Sequence, residues 1–142
     1  MRDERERPGE RPRSWVAAHR RILRSLDRIE RGLRSTSGPP VYGSFGRLLR
    51  RRVLPHIAEE ESQVFPLWRQ GAAGNRSEEE LLEVLRAEHG RLRELFGSYL
   101  SARGARNERH LRALVAEISD LLRAHIRREE TLSAALAGKT PR

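Results

Sequence analysis

The sequence predicts an all-α protein that folds as an up-and-down four-helix bundle. Apolar residues recur at three- and four-residue intervals in four segments of similar length, which is the periodicity of amphipathic helices. Strand signals are missing, since the chain has neither alternating runs of β-branched residues nor hairpin dipeptides. A chain of 142 residues suffices for one domain with a single core, so the four helices should pack on one another.

The first helix should follow a disordered tail. Residues 1–13 are rich in arginine, proline and acids and offer nothing to bury. Ser14 suits the N-cap position. The segment "STSGPP" ends the helix, because Gly38 and the two prolines cannot continue it. Its apolar face comprises Trp15, Val16, His19, Ile22, Leu23, Leu26, Ile29 and Leu33.

The second and third helices are separated by a loop at "GAAGN". Pro55 and Pro66 should kink or segment the second helix. Ser77 and Glu80 have the spacing of a capping box and should begin the third. The second face runs through Phe45, Leu49, Val53, His56, Glu60, Val64 and Leu67. The third runs through Leu81, Leu85, His89, Leu92, Phe96 and Tyr99.

The fourth helix should begin after "ARGARN", with Asn107 as its N-cap. Gly138 suits the C′ position at its end. These limits place the bundle at residues 14–137 and leave residues 138–142 as a short C-terminal tail. The buried face comprises Leu111, Leu114, Ile118, Leu121, Leu122, His125, Glu129, Leu132 and Leu136.

The positive charge is carried almost entirely by arginine. The chain has 29 Lys and Arg residues against 20 Asp and Glu, a formal net charge of +9, and Lys139 is the single lysine. Most arginines stand near an acid in sequence, which is typical of a salt-bridged helix surface. Nucleic-acid binding is a disfavoured alternative. The run "RLLRRR" supports it, but aromatic residues are scarce and no helix-turn-helix or finger motif occurs.

Composition also limits the cell compartment and the type of site. The chain has no cysteine, which excludes a disulfide framework and a thiolate metal site and fits a reducing compartment. No run approaches the roughly 20 apolar residues that span a bilayer, and no signal peptide is recognisable. We therefore expect a soluble, cytoplasmic protein with no membrane partner.

Each half of the chain carries the same arrangement of histidine and glutamate. A lone histidine on one helix is followed on the next by "HIAEEE" in the first half and by "HIRREE" in the second. His19 precedes His56 by 37 residues, and His89 precedes His125 by 36. All four histidines fall on the apolar faces of their helices. The repeat therefore predicts four imidazoles that point into the core.

The repeat also selects two glutamates. Residues four apart are separated by about 40° around a helix and ~6 Å along it, so His56 and Glu60 can converge on one point, as can His125 and Glu129. The position three residues after the paired histidine is acidic in the first half alone, whereas the position four residues after it is Glu in both. We expect these two carboxylates to point inward. The neighbouring acids should lie at the surface or behind the histidines: Glu59, Glu61 and Glu130.

Two buried carboxylates without a counter-charge would strongly destabilise the core. A metal site between them is the favoured interpretation. Two alternatives stay open: each histidine is a satisfied core residue while each glutamate reaches solvent, or an arginine pairs with each carboxylate. No arginine stands at a core-facing position of the inferred bundle, which disfavours the second alternative.

Six nitrogen and oxygen donors without sulfur exceed what one tetrahedral zinc ion takes, and they suit two first-row ions bridged by carboxylates. Two Fe²⁺ ions, two carboxylates and a bridging hydroxide would bring the buried charge close to zero. The predicted metal ligands are His19, His56, Glu60, His89, His125 and Glu129.

This pattern of lone His and H-x-x-x-E, repeated, resembles the hemerythrin-like HHE cation-binding domain over about residues 14–137. The resemblance implies a left-handed up-and-down bundle that holds a non-heme di-iron centre, oxo- or hydroxo-bridged. It also implies that the four histidines are terminal iron ligands and that Glu60 and Glu129 bridge the ions.

Two departures bear on function. Oxygen-carrying hemerythrins have a second histidine four residues from the first on the third helix, whereas Arg93 and Leu85 occupy the positions around His89. They place an Asp five residues after the last-helix histidine, whereas Glu129 comes four after it. The resemblance therefore implies fewer ligands on one iron and disfavours reversible O₂ transport. His110 is about 22 Å along the helix from His125, too far to fill the gap.

The leading functional hypothesis is a di-iron protein that binds or senses O₂, NO or peroxide, with a signalling protein as partner. A peroxide-consuming, catalase-like enzyme is the close alternative. Iron storage or delivery is ranked low, because ferritin-like bundles use Glu-x-x-His pairs. The sequence leaves the oligomeric state open. We expect Trp15, Trp68 and Tyr42 to pack in the core, and Gly90 to allow close helix packing.

Overall fold

The computed structural model describes residues 13–35 and 39–139. The described chain is all-α and has no strand, which confirms the predicted fold class. None of its helices is both long and apolar enough to cross a bilayer. The predicted N-terminal tail lies outside the described residues except for Arg13, and the C-terminal tail does so from residue 140 onward.

Four helical rods form the bundle. The first is α1 (Arg13–Ser35). The second rod, residues 39–72, joins five helical segments without a break: α2 (Pro39–Leu48), π1 (Leu49–Val53), α3 (Leu54–Glu59), π2 (Glu60–Val64) and α4 (Phe65–Ala72). The third and fourth rods are α5 (Arg76–Gly104) and α6 (Glu108–Ala137), which pack along their length.

The second rod is segmented at its prolines, as predicted. Proline lacks the N–H that an α-helix needs, and its ring clashes with the carbonyl four residues earlier. A π turn precedes each proline: the N–H of Leu54 donates to Leu49, and that of Phe65 to Glu60, each five residues back. The wider turn lets the rod continue past Pro55 and Pro66. Between the two widened turns lies α3, which carries His56.

Asparagine begins both long helices. The Asn107 side chain accepts a hydrogen bond from the N–H of His110 at 3.1 Å, which confirms the predicted cap. For α5 the prediction was wrong, since Asn75 is the N-cap and accepts from Glu78 N–H, while Ser77 lies inside the helix.

Two further predicted helix ends differ from the structure. Ser14 lies inside α1, so it is not the N-cap. Gly138 has a right-handed φ of −70° and therefore does not form the left-handed turn expected of a C′ glycine.

Two apolar clusters fill the bundle, and the histidines and glutamates of the repeat lie between them. The larger cluster contains Ile22, Phe45, Leu92 and Leu122, and the smaller one contains Trp15, Phe65, Trp68, Leu85 and Leu132. Burying each of these side chains stabilises the fold by about 1.5–3 kcal/mol. The polar layer is therefore closed by apolar packing on both sides along the bundle axis.

Gly90 was predicted to allow close helix packing, and this prediction was wrong. The residue is exposed, and a Cβ atom built on it meets nothing within 4 Å. A helix-interior glycine costs about 1 kcal/mol relative to alanine. Replacing Gly90 by alanine should therefore raise the free energy of unfolding by about 1 kcal/mol, measured by urea denaturation. An unchanged or lower stability would contradict the inference that the structure has room for an alanine at this position.

Candidate metal centre

All six predicted site residues meet in the polar layer. His19 comes from α1, His56 and Glu60 from the second rod, His89 from α5, and His125 and Glu129 from α6. The side chains of Glu60 and Glu129 are 0% exposed, and none of the four histidines is more than 8% exposed. Four helices thus bring four imidazoles and two carboxylates together away from water.

The six side chains form two groups of four donors, and both carboxylates belong to both groups. One group contains His19 and His56 with the two glutamates, and the other contains His89 and His125 with the same two. Within each group one ligand atom per residue lies within 4.8 Å of all the others. The structure therefore offers two adjacent positions, each with two imidazole nitrogens and two carboxylate oxygens.

Each carboxylate turns a different oxygen toward each group. Glu60 Oε2 lies 3.1 Å from His56 Nε2, and its Oε1 lies 3.0 Å from His89 Nε2. Glu129 Oε1 lies 3.1 Å from His19 Nε2, and its Oε2 lies 3.2 Å from His125 Nε2. This arrangement is the one that a carboxylate adopts when it bridges two cations.

Several atoms of the layer are short of hydrogen bonds. The buried Nε2 atoms of His19 and His56 and both carboxylate oxygens of Glu129 have no hydrogen-bond partner among the described residues, although other donors and acceptors lie close by. Buried polar atoms are normally satisfied, because an unsatisfied one costs about 1–3 kcal/mol. Atoms of this kind, aimed at a common centre, fit metal ligands.

Three glutamates hold the outer nitrogens of the histidines. Glu130 Oε2 lies 3.2 Å from His19 Nδ1, and Glu61 Oε2 lies 3.0 Å from His89 Nδ1. Glu88 Oε1 lies 2.8 Å from His125 Nδ1. A carboxylate at Nδ1 keeps the proton there and leaves the lone pair of Nε2 for a metal.

Arginines hold two of these outer carboxylates in place. Arg93 donates to both oxygens of Glu61, at 2.9 and 2.6 Å, and Arg128 pairs with Glu88. Hydrogen bonding to Arg93 lowers the pKa of Glu61, and for Glu88 the histidine and arginine partners outweigh burial and lower the pKa as well. Both acids therefore stay ionised behind their histidines.

The comparisons with known proteins agree with this geometry. The family model described as the hemerythrin HHE cation-binding domain matches residues 12–137. The chain belongs to the hemerythrin HHE cation-binding family. Comparison with curated proteins gave no match, and comparison with solved structures gave none either. The HHE resemblance predicted from the sequence is confirmed, together with the all-α bundle that it implied.

The outer acids of this HHE domain follow the repeat, except at one position. Glu61 behind His89 corresponds to Glu130 behind His19 under the 69- to 70-residue offset between the halves. The counterpart of Glu88, which immediately precedes a lone histidine, is Ala18. Among the described residues, no acid hydrogen-bonds to the outer nitrogen of the remaining histidine, His56. That histidine is also the most exposed of the four, at 8%.

Trp15 has a role beyond the core packing predicted for it. Its Nε1 donates to Glu60 Oε2 at 2.7 Å, and its ring packs edge-on against Trp68. The bond joins residues 45 apart in sequence, so helical periodicity could not have indicated it. Trp15 thus orients one oxygen of a carboxylate that faces both donor groups.

Replacing Trp15 by phenylalanine should destabilise the metal-free HHE domain by about 1–3 kcal/mol beyond the loss of ring area, because a buried carboxylate loses its donor. Trp68→Phe is the matched control, since Trp68 is equally buried but makes no such bond among the described residues. Urea unfolding of both variants measures the difference. Equal losses in the two variants would show that the hydrogen bond adds nothing.

Neighbouring carboxylates keep His19 and His125 protonated in the metal-free protein. Burial lowers the pKa of His19, but the neighbouring carboxylates, Glu129 before Glu60, outweigh it and raise that pKa to about 9. Burial likewise lowers the pKa of His125, and the carboxylates around it raise that pKa to about 11. Both imidazoles are therefore cationic at neutral pH when no metal is bound.

The two buried glutamates titrate in opposite directions. Burial raises the pKa of Glu129, and the neighbouring Glu60 raises it further. For Glu60 burial also raises the pKa, but the neighbouring Glu129 carboxyl and the histidines outweigh it and hold the pKa well below its usual range. Protons thus supply the positive charge that the two carboxylates need in the metal-free core.

The other titratable residues considered near the site add no metal ligand to the two donor groups. His110 is exposed near the start of α6 and belongs to neither donor group of the described residues, in line with its predicted distance from His125. Glu61 and Glu130 lie behind histidines, as expected of the acids next to the ligands, whereas Glu59 joins no donor group in the described residues. Glu88 was not predicted, although it stands next to a site residue in sequence, as Glu61 and Glu130 do.

Proposed function

We propose that this HHE domain holds two non-heme iron ions and uses them to bind or sense O₂, NO or peroxide. The predicted ligands are His19, His56, Glu60, His89, His125 and Glu129. The observation that carries the proposal is that each buried carboxylate gives one oxygen to each of two donor groups. One such carboxylate suffices to hold two cations side by side, and two of them make an adjacent pair the natural occupant.

The donor set consists of nitrogen and oxygen ligands that iron takes readily. Imidazole and carboxylate suit iron and its first-row neighbours, while the absence of cysteine removes the ligand that structural zinc sites use most. Two divalent ions bring four positive charges to a layer that holds two buried carboxylates. A bridging oxo or hydroxo group would reduce the excess, so the pair with such a bridge would bring the buried charge close to zero.

The protein's own residues would hold the pair and exclude water. A di-iron pair with coordination positions not filled by protein would supply the binding or reduction of a small oxygen- or nitrogen-containing ligand. The outer acids Glu61, Glu88 and Glu130 fix the tautomer of three histidines. The apolar clusters close the layer along the bundle axis, so a small ligand has its most direct route beside His56, the most exposed of the histidines.

A metal analysis and an absorption spectrum of the purified protein test the proposal. Two irons per chain with a near-ultraviolet band typical of an oxo bridge would support it, and a shift of that band on adding NO or peroxide would identify the ligand. One tightly held zinc per chain, or no metal after growth in iron-replete medium, would overturn it. The cytoplasmic location and a signalling partner stay predictions.

A peroxide-consuming enzyme would use the same residues, so turnover must separate the two functions. O₂ evolution from hydrogen peroxide by the iron-loaded domain is the measurement. Sustained evolution that disappears in Glu60→Ala would favour the enzyme. A spectral change without turnover would favour binding or sensing.

A further inference from the structure

A groove lined by arginine runs between α1 and the first half of the second rod, and none of the six predicted metal ligands lines it. It contains two adjoining cavities of about 490 and 440 Å³. One wall, on α1, presents Arg21, Arg24, Arg28 and Arg31. The other wall, on α2 and π1, presents Arg47, Arg51 and Arg52. All seven side chains are exposed, so their guanidinium groups are accessible to a ligand.

None of the seven groove arginines has an acidic partner among the described residues, although several arginines elsewhere on the bundle do. Arg91, Arg93, Arg123 and Arg128 each pair with a glutamate or aspartate. Among the described residues no carboxylate lies within ion-pair distance of the seven groove arginines. The one acid in the lining, Asp27, is bound by Arg123 at 2.9 Å. The prediction of a salt-bridged surface therefore fails on this face, where positive charge is concentrated.

The two cavities differ in their lining. The first has an apolar floor that includes Ile29 and Leu48, with Ser44 at its edge. The second is lined by charged and hydroxyl side chains alone. Both cavities share Ser25, Arg28 and Arg52. A ligand that fills both must carry an apolar body at one end and several negative charges at the other.

We propose that this groove binds an organic polyphosphate of the nucleoside triphosphate class. The planar fork of arginine matches phosphate oxygens in a two-point contact, and several such forks suit a chain of phosphates. The cavity volumes fall in the range of about 300–1,000 Å³ that is typical of small-molecule sites. The apolar floor accommodates the nucleoside, and the arginines that the two cavities share hold the phosphates next to it.

The surface is less suited to a nucleic-acid strand. Single-strand binding relies on exposed aromatic side chains on which bases stack, and none of the groove-lining residues is aromatic. Phosphate contacts alone would give a strongly salt-dependent association. A recess with an apolar floor beside the arginines suits a small ligand better than a continuous duplex.

Calorimetric titration of the iron-loaded, full-length protein with ATP at about 150 mM salt tests the proposal, a salt level that screens charges beyond about 8 Å. We expect one ATP per chain, with weaker binding of inorganic tripolyphosphate because it lacks the apolar body. The double variant Arg28→Glu/Arg52→Glu should bind at least about tenfold more weakly, since each lost charged contact is worth about tenfold or more.

Arg69→Glu/Arg109→Glu is the matched control, because it changes net charge equally at two exposed arginines outside the groove. It should leave binding unchanged. The near-ultraviolet band and circular dichroism check that each variant is folded, and Arg28→Gln/Arg52→Gln replaces the charge reversal if that variant unfolds. The proposal is overturned if ATP does not bind, if both double variants weaken binding alike, or if duplex DNA or anionic vesicles bind through Arg28 and Arg52 while ATP fails to compete. None of these outcomes bears on the metal centre.

Discussion

The Glu60→Gln variant is expected to lose both of the metal ions proposed for the centre. The substitution keeps the size of the side chain but removes the negative charge that faces both donor groups. Glu60 Oε2 lies 3.1 Å from His56 Nε2, and Oε1 lies 3.0 Å from His89 Nε2, so neither position keeps its full set of donors. We expect the bound metal to fall from two ions per chain to less than half an ion, measured by elemental analysis after gel filtration.

Glu59→Gln is the control for this experiment. It makes the same chemical change one residue earlier in the same rod, at a side chain outside the donor groups of the described residues. That variant should keep both ions. Retention of two ions by Glu60→Gln would refute the bridging role, and retention of one would show that Glu60 serves a single position.

A second large effect is expected from pH, in the protein stripped of metal. The folded pKa values of His19 and His125, about 9 and about 11, lie above the unfolded value of 6.5. The native state therefore holds protons that the unfolded chain releases above pH 6.5. Stability from these two groups is complete below pH 6.5 and is lost as the pH rises through 9 and then through 11. Between pH 6.5 and 9 the loss should be about 1.4 kcal/mol per pH unit for each histidine.

Urea unfolding of the metal-free protein between pH 6.5 and 9 measures this dependence. The variant His125→Gln should have a shallower slope, whereas His110→Gln, at an exposed histidine, should not alter it. A stability that rises with pH over this window would contradict the proton-holding core.

The loss of the same protons should favour metal binding, whereas it lowers the stability of the metal-free protein. An ion needs neutral imidazoles, so the apparent affinity should rise with pH and loading should release protons. A pH-indicator dye in weakly buffered solution would record that release.

The sequence predicted the parts of the fold and site that depend on local spacing. The three- and four-residue apolar rhythm indicated all four rods, and the repeat of His-x-x-x-Glu selected Glu60 and Glu129, which are both fully buried. It placed His110 outside the centre because distance along a helix follows from residue number alone. Predictions of this kind need no knowledge of how the rods pack.

The features that the sequence did not predict depend on contacts between rods or on competition between similar residues. The bond between Trp15 and Glu60 joins two helices, and so does the bond between His125 and Glu88. At the start of α5, the capping-box spacing predicted Ser77, but Asn75, another residue that suits a cap, accepts the bond from Glu78 N–H. The sequence does not reveal the arginine groove, because an acid that is near an arginine in sequence need not be near it in space.

The missing fourth outer acid makes the two halves of the centre unequal in kinetic terms. His56 is the one histidine of the centre whose outer nitrogen no glutamate of the described chain holds, because Ala18 occupies the position that corresponds to Glu88. Outer carboxylates typically contribute 10- to 100-fold to metal affinity. A chelator should therefore strip the two ions in two resolved phases, the faster one from the position that His56 shares with His19. Introducing Ala18→Glu should slow that phase and bring the two rates together.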